Sequence, residues 1–305
     1  MKITVLHGGP SAEREISLIS GRAVIEGLRA MGHVVFASDI SPDDLSGLDH
    51  PADVVFPVLH GAFGESGELQ EILEARKLAF VGSGSKASRL GMDKVRTKQA
   101  WEAAGLPTPP YKVVREDDGD VPPIPGSCVV KAVDSGSSID VFICKAPAEC
   151  EAQASEAIRH VVRRHGRALV EKYIKGVELT VGLLEEKPLA PIRIVPKREF
   201  FDFEAKYKAS DTEHRFDTGL PEKVVEECRE LARRANQIVG ARDLARVDIM
   251  IDEGHNPYLL EINTLPGFTP KSLLPEAAKH AGVEFGPLVD RLARRAYVRH
   301  DAERR

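Results

Sequence analysis

The chain has 305 residues, 42% hydrophobic and 29% charged, which excludes global disorder and is enough for two or three domains with a core each. Its formal net charge of -5 is small for this length and gives no overall basis for binding nucleic acid or an anionic membrane. Any polyanion has to be met by local groups.

At the start, "MKITVLHGG" passes straight into a strand over residues 3–6 that meets Gly8 and Gly9. No cleavable apolar segment precedes it, and nowhere do about 18 apolar residues run together, so the expectation is a soluble cytoplasmic protein without a standard secretion signal. Cys128, Cys144, Cys150 and Cys228 show no C-x-x-C spacing, as expected of reduced thiols in that compartment. Residues 11–30 read as a helix closed by Gly32, residues 34–37 as strand, and residues 54–59 as a strand stopping at "HGAFGESG". A helix follows with Leu69, Ile72 and Leu73 on one face. This alternation predicts a parallel sheet covered by helices, with ligands beyond the carboxyl ends of the strands, where "HGGPSAERE" and "HGAFGESGE" both lie.

A helix over residues 94–104 ends at Gly105 and "LPTPP", and "EDDGDVPPIPG" is a surface loop by composition. Then comes a small unit: strand "SCVVKAV", loop "DSGSSID", strand "VFICK", a helix over residues 147–165 and strand "ALVEKYI". Short strands around a Gly/Ser loop predict a lid. The remainder holds strands "ELTVGLL" and "PIRIV", a polar loop "FFDFEAKYKASDTEHRF", a helix over residues 221–239, and strands "ARVDIMID" and "PYLLEIN". The arginines of "RLARRAYVRHDAERR" are expected on the solvated face of a final helix, where cations favour its C-terminal dipole.

The chemistry concentrates in the last two strands. Arg246 and Asp248 are two apart on one, Glu261 and Asn263 two apart on the other, so antiparallel pairing would bring four polar side chains to one face that cannot be a dry core. Two carboxylates and a carboxamide are the oxygen donors a Mg²⁺ ion takes when nucleotide phosphates and water complete its octahedron. A structural Arg246–Asp248 ion pair at solvated strand ends is the other reading of the same residues. No G-x-x-x-x-G-K-[ST] run and no G-x-G-x-x-G after the first strand is present, so the phosphates need another cradle. "KAVDSGSSID" offers Lys131 for charge and Gly136, Ser137 and Ser138 for a turn rich in donors.

Taken in order, "HGGPSAEREISLISG", "LHGAFGESGELQ", "GSGSKASRLGMDKVRTK", "VVKAVDSGSSI", "LVEKYIKGVELTV", "FDFEAKY", "LARVDIMI" and "LLEINTLPGFTPKSLLP" resemble the D-alanine–D-alanine ligases of the ATP-grasp superfamily over essentially the whole chain. The resemblance implies an α/β and α+β protein: an N-terminal parallel-sheet α/β domain (1–85) followed by a two-part ATP-grasp fold, a central lid (86–175) and a C-terminal catalytic domain (176–305). It implies ATP and two Mg²⁺ ions, with Mn²⁺ as a substitute, held by Asp248, Glu261 and Asn263. Lys94, Lys131 and Ser138 would meet phosphates, Glu171, Lys172 and Ile174 would line the adenine slot, Glu178 would face the ribose and Lys206 the γ-phosphate. Glu13 would anchor the ammonium of the first D-alanine through Ser137 and Tyr207, with His60 beside it. Ser272 and Leu273 would receive the second substrate's carboxylate, and Arg246 with the Gly267 N–H would form the oxyanion hole. The resemblance further implies a homodimer, no nucleic-acid or membrane partner, and a place in peptidoglycan precursor synthesis.

Taken singly, Glu13 is also compatible with favouring the N-terminus of the following helix, His60 with capping its strand and Tyr207 with packing a loop. Where the family reads K-P-x-x-x-G-S-S-x-G, this chain has Ala132 for the proline and Asp140 for the last glycine. A carboxylate ~6 Å from a phosphate charge costs about 3 kcal/mol at an effective dielectric of ~20 unless it turns to solvent or to a lysine. Three readings follow: a D-alanine–D-alanine ligase, a ligase with another second substrate such as D-serine or D-lactate, and a nucleotide-binding homologue whose lid no longer supports turnover. Tyr207 in "EAKY" matches the ligases that join two D-alanines.

Overall fold

The structure, a computed structural model, describes residues 1–118, 126–136, 140–145, 150–196 and 212–304. The N-terminal strands β1 (Lys2–His7), β2 (Val34–Asp39) and β3 (Val54–Pro57) form a parallel sheet in the order β2-β1-β3. Residues 3–6 are all buried because both faces are covered: Ile3 and Val5 pack against Val24 and Leu28 of α1 (Arg14–Ala30), Leu6 against Leu69 and Leu73 of α3 (Glu68–Ala75), which follows the one-turn α2 (Ala62–Glu65). Helix α1 begins at Arg14 rather than at the expected residue 11. Gly8 and Gly9 both sit at φ +76°, and the Ser11 hydroxyl accepts the Glu13 N–H, so the chain completes a turn before the helix starts and leaves Glu13 as its N-cap.

Helices α4 (Ser85–Met92) and α5 (Lys94–Ala103) lead into a four-stranded antiparallel sheet of β4 (Tyr111–Arg115), β5 (Cys128–Ala132), β6 (Phe142–Cys144) and β7 (Arg167–Lys172) in the order β4-β7-β5-β6. It is backed by α6 (Cys150–His165), whose buried Cys150, Ala154, Ala157, Ile158 and Val161 recur at helical spacing. Three of the four cysteines pack in this small core, the fourth lies in the C-terminal core, and all four are free thiols, as expected.

The large sheet comprises β8 (Gly176–Leu184), β9 (Lys187–Pro188), β10 (Ile192–Pro196), β11 (Thr212–Arg215), β12 (Leu244–Asp252) and β13 (Pro257–Asn263). Its order is β11-β10-β8-β12-β13, with β9 paired to β8. Period-2 alternation divides its faces: Leu179, Val181, Val247 and Ile249 meet Trp101 of α5 and Leu231 and Ala235 of α7 (Glu222–Val239) in one core. Residues 178, 180, 246 and 248 consequently face the other way, toward the cleft.

Helices α8 (Leu273–His280) and α9 (Phe285–Arg304) close the chain. The arginines of α9 are only in part a solvated row: Arg291 and Arg294 are exposed, but most of them also bind back onto the protein. Arg291 pairs with Glu185, Arg295 with Glu186 and Asp243, and Arg299 with Asp243 and the Phe80 carbonyl. Asp243, fully buried, also accepts the Gly82 N–H at 2.9 Å. The tail therefore clamps the N-terminal sheet to the large one, while Leu288, Val289 and Leu292 share a core with Ile3, Val5, Leu184 and Leu244.

Candidate active site

The two last strands pair antiparallel with Arg246 opposite Asn263 and Asp248 opposite Glu261. A β-bulge between Asp248 and Ile249 sets the phase of β13: Leu259 and Ile262 enter the core, while Leu260, Glu261 and Asn263 line the cleft. On its other side Asp248 lies opposite Thr180 of β8. Thr180, Asp248 and Glu261 thus form a row across three strands. The Thr180 hydroxyl donates to Asp248 Oδ1 at 2.5 Å, and the Arg246 guanidinium donates through Nε and Nη2 to both Asp248 oxygens at 2.9 Å. The structural Arg246–Asp248 pair read from the sequence is present, within the cleft rather than at a solvated edge.

Two cavities flank this row. One, of about 350 Å³, lies between the four-stranded sheet and the large sheet and is lined by Lys131, Glu171, Lys172, Ile174 and Met250. The other, of about 380 Å³, opens between the N-terminal and large sheets and is lined by Glu13, His60, Arg246, Gly267, Ser272 and Leu273. Lys94, Ser135, Glu178, Asp248 and Glu261 border both, so the cavities meet over the acidic row.

Lysines surround the first cavity. Lys94 Nζ donates to the Ser135 carbonyl at 2.6 Å and lies 3.5 Å from Glu261 Oε2. Lys131 pairs with Glu171 Oε2, while Lys98 of α5, fully buried, reaches Glu171 Oε1 at 2.5 Å. Burial pushes the Glu171 carboxyl up, but the charges of Lys131 and Lys98 outweigh it and hold it below the usual carboxylate range. Burial likewise lowers Lys131, yet Glu171 and Glu261 more than compensate and hold it charged.

In the second cavity Glu13 and His60 are both buried. His60 Nδ1 is 3.7 Å from Glu65 Oε1, and Glu65 is oriented by accepting the Gly61 N–H at 2.9 Å. Burial alone would lower the imidazole's pKa; the bond to Glu65 and the charges of Glu65 and Glu13 raise it instead. Nε2 of His60 is buried with no hydrogen-bond partner among the described residues. Ser272 is the N-cap of α8, but its hydroxyl accepts the Thr269 N–H at 3.0 Å rather than capping its own helix.

Of the expected site residues, Ser137, Ser138, Lys206 and Tyr207 lie outside the described residues. All the others line one or both cavities. Thr180, Glu65 and Lys98 were missed; Lys98 alone had a local signal, standing one helical turn from Lys94. Asp140, where the chain departs from the family pattern, is directed at α6: it accepts from His165 Nε2 at 2.7 Å and lies 3.3 Å from both His160 and Arg164. Its φ of +54° preserves the left-handed backbone a glycine would adopt. Among the described residues no group of three or more His, Cys, Asp or Glu side chains is assembled to hold a metal alone. Asp248, Glu261 and Asn263 form an all-oxygen partial set, suited to a hard divalent cation that phosphate and water would complete.

Comparison with known proteins gives one answer. The family model "D-ala D-ala ligase N-terminus" matches residues 38–83 and "D-ala D-ala ligase C-terminus" matches residues 100–294. The D-alanine–D-alanine ligase of Trichlorobacter lovleyi is 44% identical over 96% of this chain and 94% of its own. That of Gloeobacter violaceus is 40% identical over 97% and 99%. Among solved structures, D-alanine–D-alanine ligase from Bacillus anthracis superposes with a TM-score of 0.85 at 28% identity, covering 99% of both chains. The same enzyme complexed with ATP gives a TM-score of 0.84 at 28% identity, again over 99% of both. With residues of this chain matched from both halves of the ligase and relatives aligned along nearly its full length, the chain belongs to the D-alanine–D-alanine ligase family.

Proposed function

We propose that the chain joins two D-alanine molecules into D-alanyl-D-alanine, using ATP and releasing ADP and phosphate. The observation that carries this reading is the junction of the two cavities over Asp248 and Glu261. A carboxylate is a poor acyl donor, so the reaction needs a phosphoryl group passed from one site to the other, and the shared wall puts donor and acceptor on either side of one charged row. In this reading Lys94 and Lys131 neutralise the phosphates, Glu171, Lys172, Ile174 and Glu178 seat adenine and ribose, and Glu13 and His60 seat the first D-alanine. Asp248, Glu261 and Asn263 would hold Mg²⁺, whose chemistry there is to offset the charge on the transferred phosphoryl group. Arg246 and the Gly267 N–H face the position where the second amine's attack develops an oxyanion, and Ser272 and Leu273 receive that substrate's carboxylate.

Three structural units divided near residues 85 and 175 belong to this reading, with Ala87 and Trp101 contributing to the core of the large sheet. So do a homodimer, a cytoplasmic location and peptidoglycan precursor synthesis. Among the described residues no helix is long and apolar enough to cross a membrane. The test is purified protein with ATP and Mg²⁺, following ADP and dipeptide with D-alanine, L-alanine, D-serine and D-lactate in parallel. One ADP per D-alanyl-D-alanine, with none from L-alanine, is expected. Turnover only with a mixed pair would transfer the assignment to another second substrate, and ATP binding without product would refute catalysis.

A further inference from the structure

Lys98 takes no part in the reaction described above, yet it is a lysine with a fully buried side chain. Charged groups in such positions are costly unless paired, and Lys98 is fully paired: its ammonium reaches Glu171 Oε1 at 2.5 Å, Thr108 Oγ1 at 2.5 Å and the Leu259 carbonyl at 3.4 Å. These acceptors come from the lid strand β7, the hinge segment before β4, and β13. It lines neither cavity, whereas its neighbour one turn earlier, Lys94, lines both. Glu171 stands between Lys98 and Lys131, with one oxygen to each.

The charges of this row decide its effect. Lys131 and Glu171 alone would present a neutral pair to the cleft; Lys98 behind them makes the cluster net positive. Burial, together with the charge of Lys131, draws Lys98 down to about 8, and Glu171 and Glu261 work against that loss.

We propose that Lys98 is a positioning residue of the nucleotide site: by neutralising Glu171 from behind, it holds Lys131 at the cleft with its charge left for phosphate. The inference rests on the ATP-binding reading of that cavity. It predicts a selective defect, in which recognition of the phosphates suffers and recognition of the base does not. A residue that merely stabilised the hinge would weaken both alike.

The experiment is calorimetric titration of full-length protein with a non-hydrolysable ATP analogue plus Mg²⁺ and, separately, with adenosine. Wild type that binds neither would refute the nucleotide reading itself, and with it the inference. With wild type binding, Lys98→Met is expected to weaken the ATP analogue tenfold or more while adenosine stays within threefold. Lys98→Gln, which keeps a hydrogen-bond donor beside Thr108 and removes only the charge, is expected to show the same selective loss. Unchanged affinity for the ATP analogue in Lys98→Met, or equal losses for both ligands, would overturn the proposal. Should Lys98→Met fail to fold, Lys98→Gln decides alone: a tenfold loss for the ATP analogue with adenosine within threefold would support the proposal, and unchanged or equally weakened binding would overturn it.

Discussion

Replacing Asp140 by glycine, the residue the family places in this lid position, separates two accounts of the departure. If the carboxylate faced the phosphates at ~6 Å, its removal would strengthen ATP binding by about 3 kcal/mol, roughly a hundredfold in KM for ATP. In the structure it is 10% exposed and directed at α6, with His165 at 2.7 Å and the largely exposed His160 and Arg164 at 3.3 Å. The His165 bond, assisted by the carboxylate charge, contributes about 1.5 to 3 kcal/mol, and the two exposed partners together no more than about 1 kcal/mol. Against this, a non-glycine residue at φ +54° carries a backbone cost of about 1 kcal/mol, which glycine removes. The net expectation for Asp140→Gly is a loss of about 1 to 3 kcal/mol in lid stability with KM for ATP changed less than threefold. Asp140→Ala, which keeps the strained backbone, should lose about 2 to 4 kcal/mol. Steady-state kinetics with varied ATP and urea unfolding of the three proteins provide the numbers. A fall in KM of tenfold or more in Asp140→Gly would refute the orientation argued here.

Thr180→Val removes one of the donors to Asp248 without changing shape, and kcat/KM for ATP is expected to fall by about 1.5 to 3 kcal/mol, or ten- to hundredfold, with D-alanine KM little altered. Arg246→Met should lower kcat by about a hundred- to a thousandfold if the guanidinium stabilises the oxyanion; kinetics at saturating substrates would show it, and a change in KM alone would contradict the role. His60 has a folded pKa above its unfolded value of 6.5, so its contribution to stability is fully present below pH 6.5 and is lost as pH rises through the folded value. Denaturation between pH 6 and 9 should reveal that loss, and Glu65→Gln should weaken it; an identical profile in the variant would exclude Glu65 as the cause. Arg299→Met leaves the fully buried Asp243 with fewer partners and should cost about 2 to 4 kcal/mol in urea unfolding, whereas no change would mean that the clamp is incidental.

Much of this molecule is encoded locally. The 2.0 and 3.6 periodicities place most of the described strands and helices within a few residues, because the pattern of apolar side chains is itself what each element buries, but they leave out β4, β9, α2, α4 and α8, and β11 lies in a segment read as a polar loop. That Asp248, Glu261 and Asn263 share one cleft-facing side was legible because polar residues two apart on paired apolar strands cannot point into a dry core. The tertiary structure decided what depends on residues distant in sequence. The bulge at Leu260 sets which of Leu259 and Glu261 enters the core, and the register of β8 on β12 brings Thr180 to Asp248. Only the packing of α6 shows that Asp140 has Arg164 and two histidines as partners 20 to 25 residues away, and only the packing of α9 shows its arginines clamping two sheets. The sequence determined which groups this protein possesses and the elements that carry them. Which charge faces which was settled by long-range contacts, since an ion pair depends on distance and burial that no local pattern contains.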